Sequence, residues 1–345
     1  AMISMLFIVI AIVFGFCVYR RNMPMGIASV VGVLAIVLIM AVGMNFHPIY
    51  LSTKTWMWIV GIYIAIASVT PVWILLQPRD YLSSFLLYAM LIVAFFGVVV
   101  AHPTFDSTFP AVTSFAVDNG NGVQYMFPVL FTTVACGAIS GFHSLVSSGT
   151  ASKQIKNEKN MLPVSFGAML MESMLAIIAL IAVASFADGE AAAQGLTTQP
   201  QIFAGAIANF LSVVGLPHSL VFTLINLAVS AFALTSLDSV ARVGRLSFQE
   251  FFIDDDTDMD HLNPFMKVVT NKYFATIITL VLAYFLTKVG YAEIWPLFGS
   301  ANQLLSVLAL VACAVFLKKT KRQGCMLWIP MVFMMAVTFT ALGMT

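Results

Sequence analysis

Ten long apolar segments divide this chain, and they constrain its fold more than any other feature. A helix needs about 20 residues to cross roughly 30 Å of hydrocarbon. Runs near that length lie at residues 3–19, 24–44, 56–77, 81–102, 124–147, 163–187, 218–241, 272–288, 295–317 and 326–344. Only 9% of the residues are charged, whereas soluble domains have about 25%. The sequence therefore predicts an all-α, polytopic membrane protein with about ten transmembrane helices.

The basic residues predict the orientation of these helices. Of the 16 Lys and Arg residues, only Lys54 and Lys288 fall in one alternating set of gaps. The other set holds Arg20, Arg21, Arg79, Lys153, Lys156, Lys159, Arg242, Arg245, Lys267, Lys272, Lys318, Lys319, Lys321 and Arg322. Because cytoplasmic loops retain basic residues during insertion, we expect these gaps inside and both termini outside. The net charge of +1 gives no indication of a nucleic-acid partner.

Small and hydroxyl residues recur at steps of three and four in the fifth segment, from Thr133 to Ser148. A packing seam around the pair Gly137 and Gly141 would account for this stripe. His143 favours a functional site instead, because it can titrate and because Gly-rich membrane helices can break and present backbone groups to a ligand. The predicted binding residues are Gly141, His143, Ser144, Ser147, Ser148, Gly149 and Thr150.

Carboxyl groups lie inside two further segments. Asp238 has hydroxyl neighbours that could complete a cation site, but an ion pair with Arg242, four residues later, explains it equally well. Glu172 lies in the middle of the sixth segment, where packing is the alternative to the functional role expected of an ionisable group at that depth. The predicted ion-coupling residues are Glu172, Thr235, Ser236, Asp238 and Ser239.

The ninth segment contains helix-breaking and amide residues. Pro296 and Gly299 would permit a kink, and Asn302 and Gln303 would need partners inside the bundle. Residues 199–217 are too short to span, so we predict a surface or re-entrant lid helix on the outer side. The four cysteines lack metal-ligand spacing, and no metal site is predicted.

Four blocks of sequence identify a family resemblance. They are residues 71–85 (PVWILLQPRDYLSSF), 136–155 (CGAISGFHSLVSSGTASKQI), 233–245 (ALTSLDSVARVGR) and 295–305 (WPLFGSANQLL). In these blocks, and in their order along essentially the whole chain, the sequence resembles the carbon starvation protein A (CstA) family of peptide and pyruvate permeases.

The resemblance implies a secondary transporter, not an enzyme, in a bacterial plasma membrane. It implies a LeuT-like inverted-repeat fold, with residues 1–123 as a partial first repeat of four spans and 124–345 as the second repeat plus a C-terminal helix. Family members begin with further helices that residues 1–60 do not match, so we expect an N-terminally shortened chain. The block 235–239 resembles the hydroxyl pair of sodium symporters, so a bound sodium ion is the one cofactor considered.

The leading hypothesis is alternating access, with the carboxylate of a peptide or pyruvate held at a broken fifth helix by backbone amides and serines. Proton or sodium would act through Asp238 with Glu172 or His143. The partners are then the small substrate and membrane lipid, and the oligomeric state is left open. An intramembrane serine hydrolase is the first alternative, since His143 and Ser147 are four residues apart, although no residue that orients the histidine is evident. A nutrient receptor that binds without flux is the second.

Overall fold

The computed structural model describes residues 2–46, 50–104, 112, 114–118, 123–186, 194–196, 198–253, 263–289, 291–322 and 324–344. The helices of its first half are α1 Met2–Arg21, α2 Met25–Asn45, α3 Thr53–Val69, α4 Leu76–Ala101, α5 Met126–Ala138, α6 Gly141–Val146 and α7 Ala168–Ala184. Those of the second half are α8 Gln199–Ser212, α9 His218–Glu250, α10 Pro264–Val269, α11 Lys272–Val289, α12 Tyr291–Lys319 and α13 Cys325–Met344. An antiparallel ribbon pairs β1 Ala116–Asp118 with β2 Val123–Tyr125.

The helices confirm the predicted class of an all-α, multi-pass membrane protein. Each of the ten predicted segments contains helix over most of its length, and in the described part of the chain eight helices are long and apolar enough to cross a membrane. Large apolar side chains point outward along them, such as Leu34, Leu38 and Ile92. A helix that is apolar all round is stable in lipid because hydrocarbon, and not water, surrounds it.

The third predicted segment, 56–77, is wrong at its C-terminal end. Helix α3 ends at Val69, and α4 begins at Leu76. Pro71 causes the early end, because proline lacks an N–H and disfavours helical backbone in the preceding residue. Arg79, which the sequence placed in a cytoplasmic gap, therefore lies near the start of α4 and is buried.

One compact unit comprises Ala1–Phe109 and Leu175–Leu280. In it α9 packs against α3, α4 and α8. Helix α8 begins with a capping box at Thr198 and Gln201, and Ala204 to Ala208 are all buried. These small residues let α8 approach its neighbours closely. The short helix predicted within 199–217 is present, but its middle is in the interior of this unit and not on its surface. Its action as a lid stays a prediction.

A second compact unit comprises Pro110–Met174 and Val281–Thr345. In this unit α12 packs against α5, α6 and α13, around a core of Val307, Met331 and Met334. Each unit thus draws on two separate stretches of chain, and the division into repeats after residue 123 stays a prediction. The inverted-repeat relationship itself stays a prediction.

Candidate functional site

The fifth span is broken, as the sequence suggested, between α5 and α6. Ile139 (φ −142°, ψ 101°) and Ser140 (φ −117°, ψ 130°) are extended. Ser140 caps the new helix, since its Oγ accepts a hydrogen bond from the N–H of His143 at 3.5 Å. A serine at this position accepts a hydrogen bond from one of the backbone N–H groups that have no partner within the helix at its start.

Two amide side chains of α12 bind the broken segment. Asn302 Oδ1 accepts hydrogen bonds from the N–H of Phe142 at 2.8 Å and from Ser140 Oγ at 3.3 Å. Gln303 is fully buried. With its amide nitrogen facing acceptors and its amide oxygen facing donors, it donates to the Ile139 carbonyl at 2.8 Å and accepts from the Cys136 N–H at 2.9 Å. An unsatisfied backbone group in hydrocarbon costs several kcal/mol. The amides therefore stabilise the break, and they have the interior partners that the sequence required.

Helix α12, in contrast, has no break at the predicted place. It runs continuously from Tyr291 to Lys319, through Pro296 and Gly299. Pro296 is only the sixth residue of this helix, so its missing N–H removes a single bond near the helix start. The kink that Pro296 and Gly299 would permit stays a prediction, and the break that the structure shows lies in the fifth span, where Asn302 and Gln303 bind it.

The backbone amides at the start of α6 are already occupied. Those of Phe142 and His143 bond to side chains, and the Ser144 N–H donates to the Ser140 carbonyl at 3.3 Å. Gly141 is buried against α12, where an added Cβ would clash with the Asn302 carbonyl oxygen and lie 2.6 Å from Leu305 Cβ. In this structure, close packing accounts for Gly141, and a ligand at the break would meet side chains in place of these amides.

A cavity of about 680 Å³ lies beside the break, within the second unit. Three predicted site residues line it: His143, Ser147 and Glu172. The other polar residues along its wall are Ser140, Ser152, Lys156, Asn157, Glu158 and Ser165. Gly137 faces the same space, since a Cβ there would lie 3.9 Å from Glu172 Oε1. Lys156, which the sequence placed in a cytoplasmic gap, and Glu158, to which it gave no role, also line the cavity.

The remaining predicted binding residues do not line this cavity. Ser144 Oγ donates to the Gly141 carbonyl at 2.6 Å, and Ser148 Oγ donates to the Leu145 carbonyl at 3.3 Å. Gly149 and Thr150 lie with Ser148 in a π-helical turn, Ser147–Ala151, that continues α6. Such turns are rare and frequently occur at functional sites.

In the first unit, Asp238 is bonded across three helices. Its Oδ2 accepts a hydrogen bond from the hydroxyl of Tyr63 (α3) at 2.9 Å and forms an ion pair with Arg79 Nη1 (α4). Arg79 also donates to the Tyr63 hydroxyl. The Asp238 and Arg79 side chains are only 2% and 1% exposed. We call Tyr63, Arg79 and Asp238 the charged junction.

Asp238 forms its ion pair with Arg79, and not with Arg242, the pairing that was one of two alternatives for this carboxylate. Arg242 instead donates to the carbonyls of Ala67 and Thr70, at 3.0 and 2.8 Å, and Arg245 donates to that of Ser68 at 2.8 Å. These carbonyls lie at the end of α3, where Pro71 stops the helix and leaves acceptors without intrahelical donors. Both arginines therefore cap α3 from α9, and Arg79 takes the place beside Asp238 that Arg242 would have had.

The hydroxyl residues near Asp238 are less enclosed. Thr235 Oγ1 donates to the Ala231 carbonyl at 3.1 Å, Ser239 is half-buried and Ser236 is exposed. Over the ranges that the structure describes, no three His, Cys, Asp or Glu side chains are grouped so as to hold a metal ion. The structure thus gathers Tyr63 and Arg79, and not these hydroxyls, around the carboxylate.

Comparison with known proteins gives a consistent result. A family model described as "Carbon starvation protein CstA" matches residues 1–194 and 187–341. The chain is 32% identical to the peptide transporter CstA of Escherichia coli strain K12, over 83% of this chain and 48% of that protein. It is 30% identical to the peptide transporter CstA of Bacillus subtilis strain 168, over 87% of this chain and 56% of that protein.

A relative with a different name is similar to a comparable degree. The pyruvate/proton symporter BtsT of Escherichia coli strain K12 is 30% identical, over 82% of this chain and 49% of that protein. The chain thus spans about half the length of the curated relatives it matches. No solved structure matches it.

Proposed function

The chain belongs to the carbon starvation protein CstA family, and from this membership we propose that it is a secondary transporter for small peptides, with pyruvate as the alternative substrate. Transport would proceed by alternating access, be coupled to protons and serve uptake across a bacterial plasma membrane when carbon is scarce. The observation that carries the proposal is a cavity beside a broken membrane helix, with His143, Lys156, Glu158, Glu172 and several serines in its otherwise mostly apolar lining.

The cavity has the size and the charges that a peptide would need. Its volume of about 680 Å³ lies within the roughly 300–1,000 Å³ of ligand sites in general. The ammonium group of Lys156 would attract a peptide carboxylate, and Glu158 and Glu172 would attract a peptide ammonium. Ser140 and Ser147 supply hydroxyls that can bond to the peptide group between them. A zwitterion matches both signs of charge, whereas pyruvate matches only the ammonium group of Lys156.

The proposed coupling groups lie in two different units, and this supports separate roles for them. Glu172 and His143 line the substrate cavity, so their protonation would change its charge. Asp238 is enclosed in the first unit, with Thr235, Ser236 and Ser239 on the same helix, and would respond to the ion gradient. The name of one relative, a pyruvate/proton symporter, favours the proton over sodium.

Uptake by proteoliposomes tests this proposal. We expect the reconstituted chain to accumulate a labelled dipeptide, and pyruvate less well, when the outside is made acidic. Accumulation should vanish when a protonophore collapses the gradient and persist when sodium is removed. Binding of the dipeptide without accumulation would instead support a receptor, and dependence on sodium would contradict proton coupling.

The hydrolase alternative has little support. A nucleophilic serine needs a hydrogen bond to its histidine and a third group that orients that histidine. In the part of the chain that the structure describes, the side chains of His143 and Ser147 line one cavity without hydrogen bonding to each other. Absence of labelling by a fluorophosphonate probe is the expected result, and modification of Ser147 or Ser148 would favour the hydrolase.

A further inference from the structure

The charged junction buries a full ion pair away from water. Removing two charges from solvent is costly, and the cost is recovered only when the remaining donors and acceptors are also hydrogen bonded. Here they are not: within the described residues, Asp238 Oδ1, Arg79 Nε and Arg79 Nη2 are buried without hydrogen-bond partners. Ser83 Oγ, one turn further along α4, is likewise buried without a hydrogen-bond partner among these residues. Because buried polar atoms are normally paired, this pattern indicates a second state of the junction.

The added species in that second state has to be very small. The guanidinium of Arg79 already lies against Asp238 Oδ2, so a sodium ion at this carboxylate would face a fixed positive charge at contact distance. A proton avoids this problem, because it needs no extra space and can bind Oδ1 without first breaking a hydrogen bond.

The charges that face Asp238 come from few groups. They are Arg79 and Asp80 on α4, Tyr63 on α3 and Arg242 on α9 itself. Of the other helices packed on α9, α8 has no titratable residue and α1 has them only from Cys17 onward, at its end. The charge of Arg79 therefore dominates the surroundings of this carboxylate.

Asp80 gives Arg79 a second carboxylate partner. Its Oδ1 lies 3.6 Å from Arg79 Nη2, on the side of the guanidinium that Asp238 does not use. This oxygen is also buried without a hydrogen bond among the described residues. Arg79 is thus positioned between a carboxylate on another helix, α9, and a carboxylate on its own helix, α4.

We propose that Asp238 is the proton site of this transporter and that Arg79 is shared between Asp238 and Asp80 as a proton-operated latch between α9 and α4. A proton from water forms an O–H bond at Asp238 Oδ1 and neutralises that carboxylate. Arg79 keeps its own proton and its positive charge, and its ion pair shifts to Asp80. Deprotonation of Asp238 returns the proton to water and restores the pair. The inference rests on the proposed transport function and adds the residues that couple it to the proton.

The latch acts on the contact between α9 and α4. A separate set of hydrogen bonds joins α9 to α3 nearby. Arg242 and Arg245 hold α9 to α3 through backbone carbonyls, which do not titrate in this range. Protonation of Asp238 would therefore loosen α4 from α9 while α3 stays attached. Such a one-sided release gives a proton a way to bias the two states of an alternating-access cycle.

The first test separates coupling from substrate movement. Asp238→Asn should lose about 90% or more of proton-driven dipeptide accumulation in proteoliposomes, since an amide cannot take up the proton. It should retain exchange of labelled for unlabelled dipeptide. Glu250→Gln is the matched control, because it removes an exposed carboxylate from the last residue of α9, 12 positions from Asp238. Normal proton-driven accumulation by Asp238→Asn would overturn the proposal.

The second test uses the sign of two pH shifts. Asp80→Asn removes the second partner of Arg79, so protonating Asp238 becomes less favourable and half-maximal uptake should move to lower pH, by about one unit. Arg79→Gln leaves Asp238 without its counter-charge, so half-maximal uptake should move to higher pH. Shifts of both variants in the same direction, or no shift in either, would contradict a shared arginine.

A third measurement needs no transport. Infrared difference spectra recorded on acidification should show the carbonyl band of a newly protonated carboxyl group in the chain and in Glu250→Gln. The band should be absent from Asp238→Asn. Because this readout is independent of flux, its failure overturns the latch even in a protein that transports, and its success supports the latch even where uptake is not detected. An unchanged band in Asp238→Asn would assign the proton to another group.

Discussion

The helix break of the second unit and the charged junction of the first both place polar atoms where water is scarce. The two regions differ in how these atoms are hydrogen bonded. At the break, neutral amides of Asn302 and Gln303 pair with the exposed backbone groups of residues 136–142. At the junction, Arg79 and Asp238 are charged, and several of their buried atoms have no hydrogen-bond partner among the described residues. Fully paired neutral groups make a fixed scaffold, whereas the proposed latch gives the partly paired ion pair a second, protonated state. We therefore expect the break to be insensitive to pH and the junction to depend on it.

The largest expected effect is on the junction. Arg79→Gln should destabilise the protein by about 3–5 kcal/mol, because it leaves a buried carboxylate without its counter-charge. The loss should be smaller in acid, since a neutral Asp238 no longer needs a cation. Chemical denaturation in detergent at two pH values measures both effects.

The double variant Arg79→Gln with Asp238→Asn is the control for this prediction. It removes both charges together and should recover most of the lost stability. A double variant as unstable as Arg79→Gln alone would mean that packing of the arginine, and not its charge, holds the junction together.

The next effect tests the scaffold. Gln303→Leu should cost about 2–3 kcal/mol, because it leaves the Ile139 carbonyl and the Cys136 N–H without side-chain partners in a buried place. The cost should be equal at both pH values, in contrast to that of Arg79→Gln. Gln154→Leu, at an exposed position, is the control for the change of residue type. A pH-dependent loss in Gln303→Leu would remove the distinction between the two regions.

A smaller effect is expected from packing at the break. Gly141→Ala should lower stability by about 1–3 kcal/mol, because the added methyl group would press on Asn302 and Leu305 of α12. Gly149→Ala is the matched control, since no atom lies within 4 Å of the position its Cβ would take. Thermal unfolding of the two variants should therefore differ, and equal melting temperatures would contradict the close approach of α6 and α12.

The smallest effect concerns the cavity. Lys156→Gln should raise the KM for a dipeptide by about two- to fivefold, because an exposed ion pair contributes less than about 1 kcal/mol. Lys153→Gln, in the same stretch but outside the cavity lining, should leave KM unchanged. Raised salt should reduce the difference between Lys156→Gln and the unchanged protein. Equal KM values at low salt would show that the substrate carboxylate is bound elsewhere.

The sequence was most informative where the signal is local. Every one of the ten apolar segments contains helix over most of its length, because length and apolar content favour helix formation in a membrane. The break in the fifth span followed from its glycines and serines, and the need of Asn302 and Gln303 for interior partners followed from their chemistry. His143 and Ser147, chosen from the fifth segment, and Glu172, chosen separately from the sixth, do line one cavity.

The sequence was least informative where a side chain had two plausible partners. Asp238 and Arg242 are four residues apart on a helix, which is a favourable spacing, yet Asp238 pairs with Arg79. Arg79 itself was assigned to a loop, because basic residues between apolar segments usually lie there. Its position beside Pro78, within a block shared with a known family, was the available sign of another role.

The sequence alone thus determined that this chain forms membrane helices, through the length and apolar content of its segments. The positions of its polar residues also showed which side chains need hydrogen-bond partners inside those helices. The tertiary structure alone decided which groups satisfy them, because the partners lie far apart along the chain: 159 positions separate Arg79 from Asp238, and 160 separate Phe142 from Asn302. The physical reason is that the energy of a helix depends on neighbouring residues. The energy of a buried charge or amide depends instead on whichever distant group the packing of helices brings within hydrogen-bond reach.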